Sequence, residues 1–282
     1  MKFSSDLASI HAYLCGDGYV ITSYNKKYKY HHIGLRNTNI VLLKDFQNKF
    51  AKVFGLTPII TKDVDRCRIG NKELTLKLLK EFGSFYSVNW KLPKFSKKHL
   101  KSWLRSYFDC DGSVGFIKAK DRKIALESIN HSGIKQIQRV LSHYFGINST
   151  VKLRKNRNIW SLTICGKDDL EKFQKYIGFL HPKKSQKLTE ALNSYVDYNW
   201  LIPDNKQELI KFLIQKGRMS YTRNEVRFNS IIKQNLTHLQ NRLAKFNIKS
   251  RVLGPWTNPY GSIWYCLAFN LRDYNKFVGG EK

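Results

Sequence analysis

One stretch of this sequence is written twice. Residues 7–18 read LASIHAYLCGDG and residues 101–112 read KSWLRSYFDCDG, so Asp111-Gly112 repeats Asp17-Gly18 at a distance of 94 positions. Ala8, Ala12 and Gly16 are answered by Ser102, Ser106 and Cys110, and Tyr13 by Tyr107. The correspondence continues downstream, Phe54-Gly55 with Phe145-Gly146 and Gly83 with Gly178. A unit of about 90 residues stated twice constrains the chain to two like halves, not a short-period solenoid.

Each copy shows the same order of patterns. Helical spacing carries the motif, and period-2 stretches follow: YVITSY and YKYHHIGLR in the first copy, SVGFIKA and KIALESI in the second. Next come an amphipathic helix (NIVLLKDFQNKFAKVF or IKQIQRVLSHYF) and two more strands (TPIITK and DRCRIG, or STVKLR and IWSLTIC). ELTLKLLKEF or DDLEKFQKYI closes the copy as a helix. The pattern is αββαββα twice, an α+β fold with antiparallel sheets. We place the repeats at 1–92 and 93–199, joined by the Pro- and Lys-marked linker SVNWKLPKFSKKH. Residues 200–282 read differently, as a small C-terminal DNA-binding accessory domain. DNKQELIKFLIQKG and SIIKQNLTHLQNRLAKFN predict helices; KSRVLGPW and SIWYCLAFNL predict a hairpin about Asn258-Pro259-Tyr260-Gly261, with Trp256 and Trp264 anchoring it. Helices followed by a basic hairpin resemble a winged helix-turn-helix.

The motif has a physical logic. Ala8, Ala12 and Gly16 stand four residues apart, so they form a narrow stripe of small side chains, and Ser102, Ser106 and Cys110 form its twin. Two such stripes let helices approach more closely than the usual 8–10 Å. Both helices then end in Asp-Gly. Glycine is an ordinary helix stop, but a helix C-terminus disfavours a carboxylate. Two carboxylates brought together there need a cation between them, and hard divalent ions take oxygen ligands.

Charge narrows the partner. Fifty Lys+Arg against 21 Asp+Glu leave a formal net charge of +29, spread along the whole chain. Such a surface fits a polyanion, here nucleic acid. No apolar run is long enough to span a membrane, and the N-terminal stretch, broken by Asp6 and His11, reads as a first structural element, not a leader. Cys15, Cys67, Cys110, Cys165 and Cys266 are far apart and odd in number, which points to an intracellular, reducing compartment.

IHAYLCGDG and LRSYFDCDG resemble the paired motifs of single-chain LAGLIDADG homing endonucleases, over about residues 5–195. Cys15 departs from the consensus where Asp109 keeps its first acid, and His11 and Arg105 replace a small apolar residue and are expected to face away from the helix interface. The resemblance implies a pseudo-symmetric monomer whose saddle of antiparallel sheets sits in the DNA major groove, cutting both strands at a long site with Mg²⁺ or Mn²⁺. It implies Asp17 and Asp111 as catalytic metal ligands, joined by the carbonyls of Gly16 and Cys110, with Arg36 and Arg68 lining the pocket. Asn130 and Lys167 are the second copy's candidates for those basic or amide positions. Basic and aromatic residues along the strands are candidate DNA contacts: Tyr24, Lys26, Tyr28 and Tyr30, then Lys118, Lys120 and Arg122, then Lys152, Arg154 and Arg157. His181-Pro182-Lys183-Lys184 resembles a structural loop of the family. Two other functions are compatible with the same fold: an intron maturase acting on RNA, and a non-catalytic LAGLIDADG/helix-turn-helix transcription regulator. Retention of both acids favours cutting over regulation.

Overall fold

The Ser4 hydroxyl accepts the Leu7 amide at 3.1 Å and starts the first helix, α1 (Ser5–Cys15). The computed structural model describes residues 2–24, 29–117, 120–195, 197–257 and 263–279. After α1 come β1 (Gly18–Tyr24), β2 (Lys29–Arg36), α2 (Ile40–Phe54), β3 (Ile59–Ile60), β4 (Arg66–Gly70) and α3 (Lys72–Phe82). The second repeat follows with α4 (Lys97–Asp111), β5 (Gly112–Ile117), β6 (Lys120–Ser128), α5 (His131–Phe145), β7 (Thr150–Arg154), β8 (Ile159–Cys165) and α6 (Lys167–Tyr176), then adds α7 (Pro182–Asn193). The sheets are antiparallel, ordered β1-β2-β4-β3 and β5-β6-β8-β7. The two repeats are one α+β plan stated twice.

Period-2 patterning decides which face each sheet buries. Val20, Ile33, Leu35 and Cys67 point inward from the first sheet; Val114, Ile124, Leu126, Leu162 and Ile164 do so from the second. Together with α1 and α4 they form one hydrophobic cluster that runs through both repeats. The opposite sheet faces carry Tyr19, Arg36, Arg66 and Arg68 in the first repeat, and Lys123, Lys152 and Arg154 in the second.

The stretch between the repeats is more than a tether. Trp90 is fully buried, 5.5 Å from Trp103 and 5.0 Å from Tyr107 by ring centroids. Its carbonyl accepts from Asn130 Nδ2 at 2.8 Å, and Gly133 must lack a Cβ, which would stand 2.5 Å from the Trp90 ring. The linker is a strap packed into the core.

The chain divides into two units, Met1–Tyr195 and Val196–Lys282. The second contains α8 (Lys206–Lys216), β9 (Arg218–Ser220), β10 (Glu225–Ser230), α9 (Lys233–Ala244), β11 (Ser250–Thr257), β12 (Ile263–Asn270) and α10 (Leu271–Gly279), with its own core of Leu209, Leu213, Val226, Phe228, Leu236, Leu239, Leu243 and Phe269 among others. This corrects the winged-helix expectation. The predicted helices and hairpin strands exist, but β9 and β10 extend the hairpin into a four-stranded antiparallel sheet, ordered β11-β12-β10-β9. β9 is three residues long and β10 (EVRFNS) mixes charges with its apolar positions, so neither announces itself as a strand. The predicted turn at 258–261 lies outside the described residues.

Candidate active site

The small-residue stripes do bring α1 and α4 together. Ala8, Ala12 and Ser106 are buried, and Ser9 Oγ donates to the Ser102 carbonyl at 3.4 Å. A Cβ on Gly16 would lie 2.6 Å from Cys110 Cβ, so only glycine permits this approach. His11 was expected to face outward; instead it is buried in the interface and its Nδ1 accepts from Trp103 Nε1 at 2.9 Å. Burial among aromatic rings pushes its pKa down to about 3, keeping it neutral. Arg105 does face outward, its Nε donating to the Ile177 carbonyl at 2.7 Å.

The two acids therefore emerge at adjoining helix ends. Asn37 Nδ2 donates to Asp17 Oδ2 at 2.7 Å, and the Asp17 carbonyl accepts the Arg36 amide at 3.0 Å. Tyr107 donates to the Asp111 carboxylate and also bonds Ser128. Asp111 is pushed up to about 7, chiefly by burial and then by the negative charge of Asp17; Tyr107 and Lys184 oppose the shift. A carboxylate poised this way is a site that a cation would relieve. Two carboxylates with main-chain carbonyls nearby are a hard-oxygen donor set suited to Mg²⁺ or Mn²⁺, which accept few protein ligands and complete their shell with water and phosphate. No cluster of three or more His, Cys, Asp or Glu exists among the described residues, so the site rests on the pair.

A cation is already nearby. Lys184 Nζ donates to the carbonyls of Phe108, Asp109 and Cys110 at 3.2, 2.6 and 3.1 Å. It satisfies the exposed end of α4, where a positive charge is favourable, and its charge reaches both acids. Asp109 holds this lysine in position, because its carboxylate accepts the Leu180 and His181 amides at 2.9–3.1 Å. The segment 181–184, read from sequence as a structural loop, is the start of α7 and delivers a charged group to the site. The Cys110 carbonyl, an expected metal ligand, is engaged by Lys184 here.

Arg36 and Arg66 are cross-strand neighbours on the open face of the first sheet, and Arg68 lies on that face opposite Gly34. Arg36 stands over the Tyr19 ring at 5.7 Å. Arg66, overlooked in the sequence, is bound to Asp65 at 2.6 Å, which holds that carboxyl well below its usual range. The register pairs Leu35 with Gly18 and Leu126 with Gly112, so the second repeat offers Glu127 where the first has Arg36. Glu127 is bound to Arg154 at 2.7 Å.

Other candidates fall elsewhere. Asn130 is a buried N-cap, accepting the Gly133 amide at 2.8 Å. Lys167 begins α6 and faces Glu171 at 3.8 Å. Arg122 is turned away from the open face and fastened to Ser194 Oγ and its carbonyl, both at 2.7 Å, over the Tyr195 ring. Tyr30 is exposed and stacks with His32, while Lys152, Arg154 and Arg157 are exposed. Tyr24 and Lys120 lie in β1 and β6. Lys26, Tyr28 and Lys118 lie outside the described residues.

Tandem αββαββα repeats with Asp-Gly at paired helix ends define the LAGLIDADG class. Residues 98–178 match the model of the LAGLIDADG-like domain, and the first repeat carries the same elements in the same motif register. It is 26% identical over 234 residues to glutamine--fructose-6-phosphate aminotransferase of Methanocaldococcus jannaschii, covering 74% of this chain and 20% of that protein. It is 29% identical over 150 residues to a DNA polymerase of Thermococcus kodakarensis, covering 51% of this chain and 8% of that one. The match is therefore to a minor part of each relative. Among solved structures it is similar to I-DmoI, a homing endonuclease, in complex with DNA and Ca, at 16% identity and a TM-score of 0.48, covering 66% of this chain and 99% of that one.

Proposed function

We propose that the chain is a sequence-specific endonuclease for double-stranded DNA, cutting both strands at one long site as a monomer with Mg²⁺ or Mn²⁺ at Asp17 and Asp111. The observation that carries this reading is the acid pair at adjoining ends of α1 and α4, with Asp111 pushed up to about 7 by burial and its neighbour. A bound divalent ion supplies Lewis acidity at the scissile phosphate and an acidified water. Asn37 and Tyr107 orient the two carboxylates. Arg36 holds phosphate oxygens, and the Lys184 charge, its three donors engaged by the α4 carbonyls, helps offset charge gathering on them in the transition state. Arg68, Lys152 and Tyr30, on open sheet faces, contact the duplex, and the unlike sequences of the two repeats make the site asymmetric.

The relatives named above differ in activity, an aminotransferase and a polymerase, and share only a minor stretch with this chain. That favours a portable module, of intron or intein homing type, over either protein's own reaction.

The test is cleavage of a randomised duplex library with Mg²⁺ and with EDTA, using the native chain, Asp17→Asn and Asp111→Asn. Metal-dependent enrichment of one long cut site, lost in both variants while DNA binding persists, is expected. Double-strand cutting by either variant sinks the site assignment. Tight DNA binding without cutting supports the regulator instead, and binding confined to intron RNA supports the maturase.

A further inference from the structure

Residues 206–279 follow the element order α, β, β, α, β, β, α, and their sheet order β9-β10-β12-β11 is that of β1-β2-β4-β3 and β5-β6-β8-β7. Three details recur with it. Gly18, Gly112 and Gly217 each follow the first helix, and a Cβ there would strike the backbone of Leu14, Phe108 or Leu213, four residues earlier, at 2.5, 2.5 and 2.7 Å. Gln47, Gln138 and Gln240 each send Nε2 from the middle helix to the carbonyl of Pro58, Ser149 or Ser250, at 2.7, 2.7 and 2.8 Å. Phe54-Gly55 and Phe145-Gly146 end that helix, and Phe246-Asn247 follows it just beyond its cap Lys245; Gly55, Gly146 and Asn247 are all in the left-handed region, φ 67°, 61° and 59°. Such agreement in topology, register and side-chain bonding is that of a repeat.

What differs is the motif. LIKFLIQKG, residues 209–217, stands where IHAYLCGDG and LRSYFDCDG stand. Lys216 replaces Asp17 and Asp111, and Lys211 and Gln215, both exposed, replace the small residues that let α1 and α4 pair. A lysine is what a helix C-terminus favours, so this copy shows none of the strain of the other two and has no acid to hold a metal. Its open sheet face, by contrast, is built for phosphate. Arg218 pairs with Arg227, Arg227 with Ala268 and Ala268 with Arg251, which sets three arginines in one row across the sheet with a small residue between them. Glu225 holds Arg227 and Arg251 in this row.

We propose that residues 206–279 are a third LAGLIDADG-type repeat that has lost its cutting acid and serves as a platform for the backbone of duplex DNA. The inference rests on the DNA-cutting reading above and extends it to a second contact surface. It predicts a footprint longer than two repeats cover.

The test uses the full chain and its selected cut site, over a salt series. Arg218→Glu reverses the charge at one exposed position on this face, Asn229→Glu adds a negative charge at another, and the Glu225 ion pairs stay in place. We expect affinity to fall about tenfold or more and the log–log salt slope to shrink by about one unit, with an unchanged thermal melt and unchanged cutting at saturating protein. A folded variant with native affinity and slope overturns the platform while the nuclease reading stands. A loss confined to single-stranded RNA also overturns it. Absence of duplex binding by the native chain overturns both readings.

Discussion

At the scale of single residues, the site depends on groups placed against their own preference. Asp111 has a folded-state pKa near 7 against an ordinary 3.8. Between those values the unfolded chain releases a proton that the folded chain retains, so the metal-free protein loses stability as pH rises through that window and levels off above it. Asp111→Asn is therefore expected to raise the melting temperature in EDTA at pH 8 and leave it unchanged at pH 4. A variant that melts lower at pH 8 would contradict the burial and repulsion assigned to this carboxylate. Gly16→Ala places a methyl 2.6 Å from Cys110 Cβ, which must part the helices; a loss of about 1–3 kcal/mol in denaturant unfolding is expected, together with slower cutting. The acids and glycines were readable in sequence because both obey a period. Lys184, Asn37 and Arg66 were not, because each reaches the site through tertiary folding: Lys184 arrives from 73 positions beyond Asp111, on the first turn of α7, whose start Asp109 holds.

At the scale of elements, αββαββα was legible wherever apolar periodicity was strong. It failed at β9 and β10, which are short or charged, so the tail read as helices and a lone hairpin. It failed again between the repeats, where proline and lysine signal a linker but Trp90 makes a core strap. The three glutamines offer an element-level check. Replacing Gln47, Gln138 or Gln240 with alanine removes the only side-chain donor described for the Pro58, Ser149 or Ser250 carbonyl. Each should cost about 1 kcal/mol in unfolding free energy, with similar values at all three. A negligible cost at Gln240 alone would separate the tail from the other copies.

At the scale of the whole molecule, two hydrophobic clusters divide the chain at residue 195/196, while no division separates the first two repeats, which share one cluster. Residues 1–195 alone are thus expected to melt in one cooperative transition and to cut with weaker binding, whereas a fragment ending near residue 92 should not fold. Loss of cooperative melting in 1–195 would show that the tail completes the core. The net charge of +29 was plain from composition; how it is shared among open sheet faces and ion pairs became visible only with strand register.

The His11–Trp103 hydrogen bond gives the spine a polarity that its small-residue stripes lack. Two copies of α1 face to face would bury two imidazoles without an indole donor, and two copies of α4 would bury two indoles without an acceptor. Only the unlike pair gives each ring the other as its partner, at 2.9 Å. A chimera that grafts in a foreign repeat is therefore expected to keep this bond only if it carries the matching spine partner, and a duplicated half is expected to lose it.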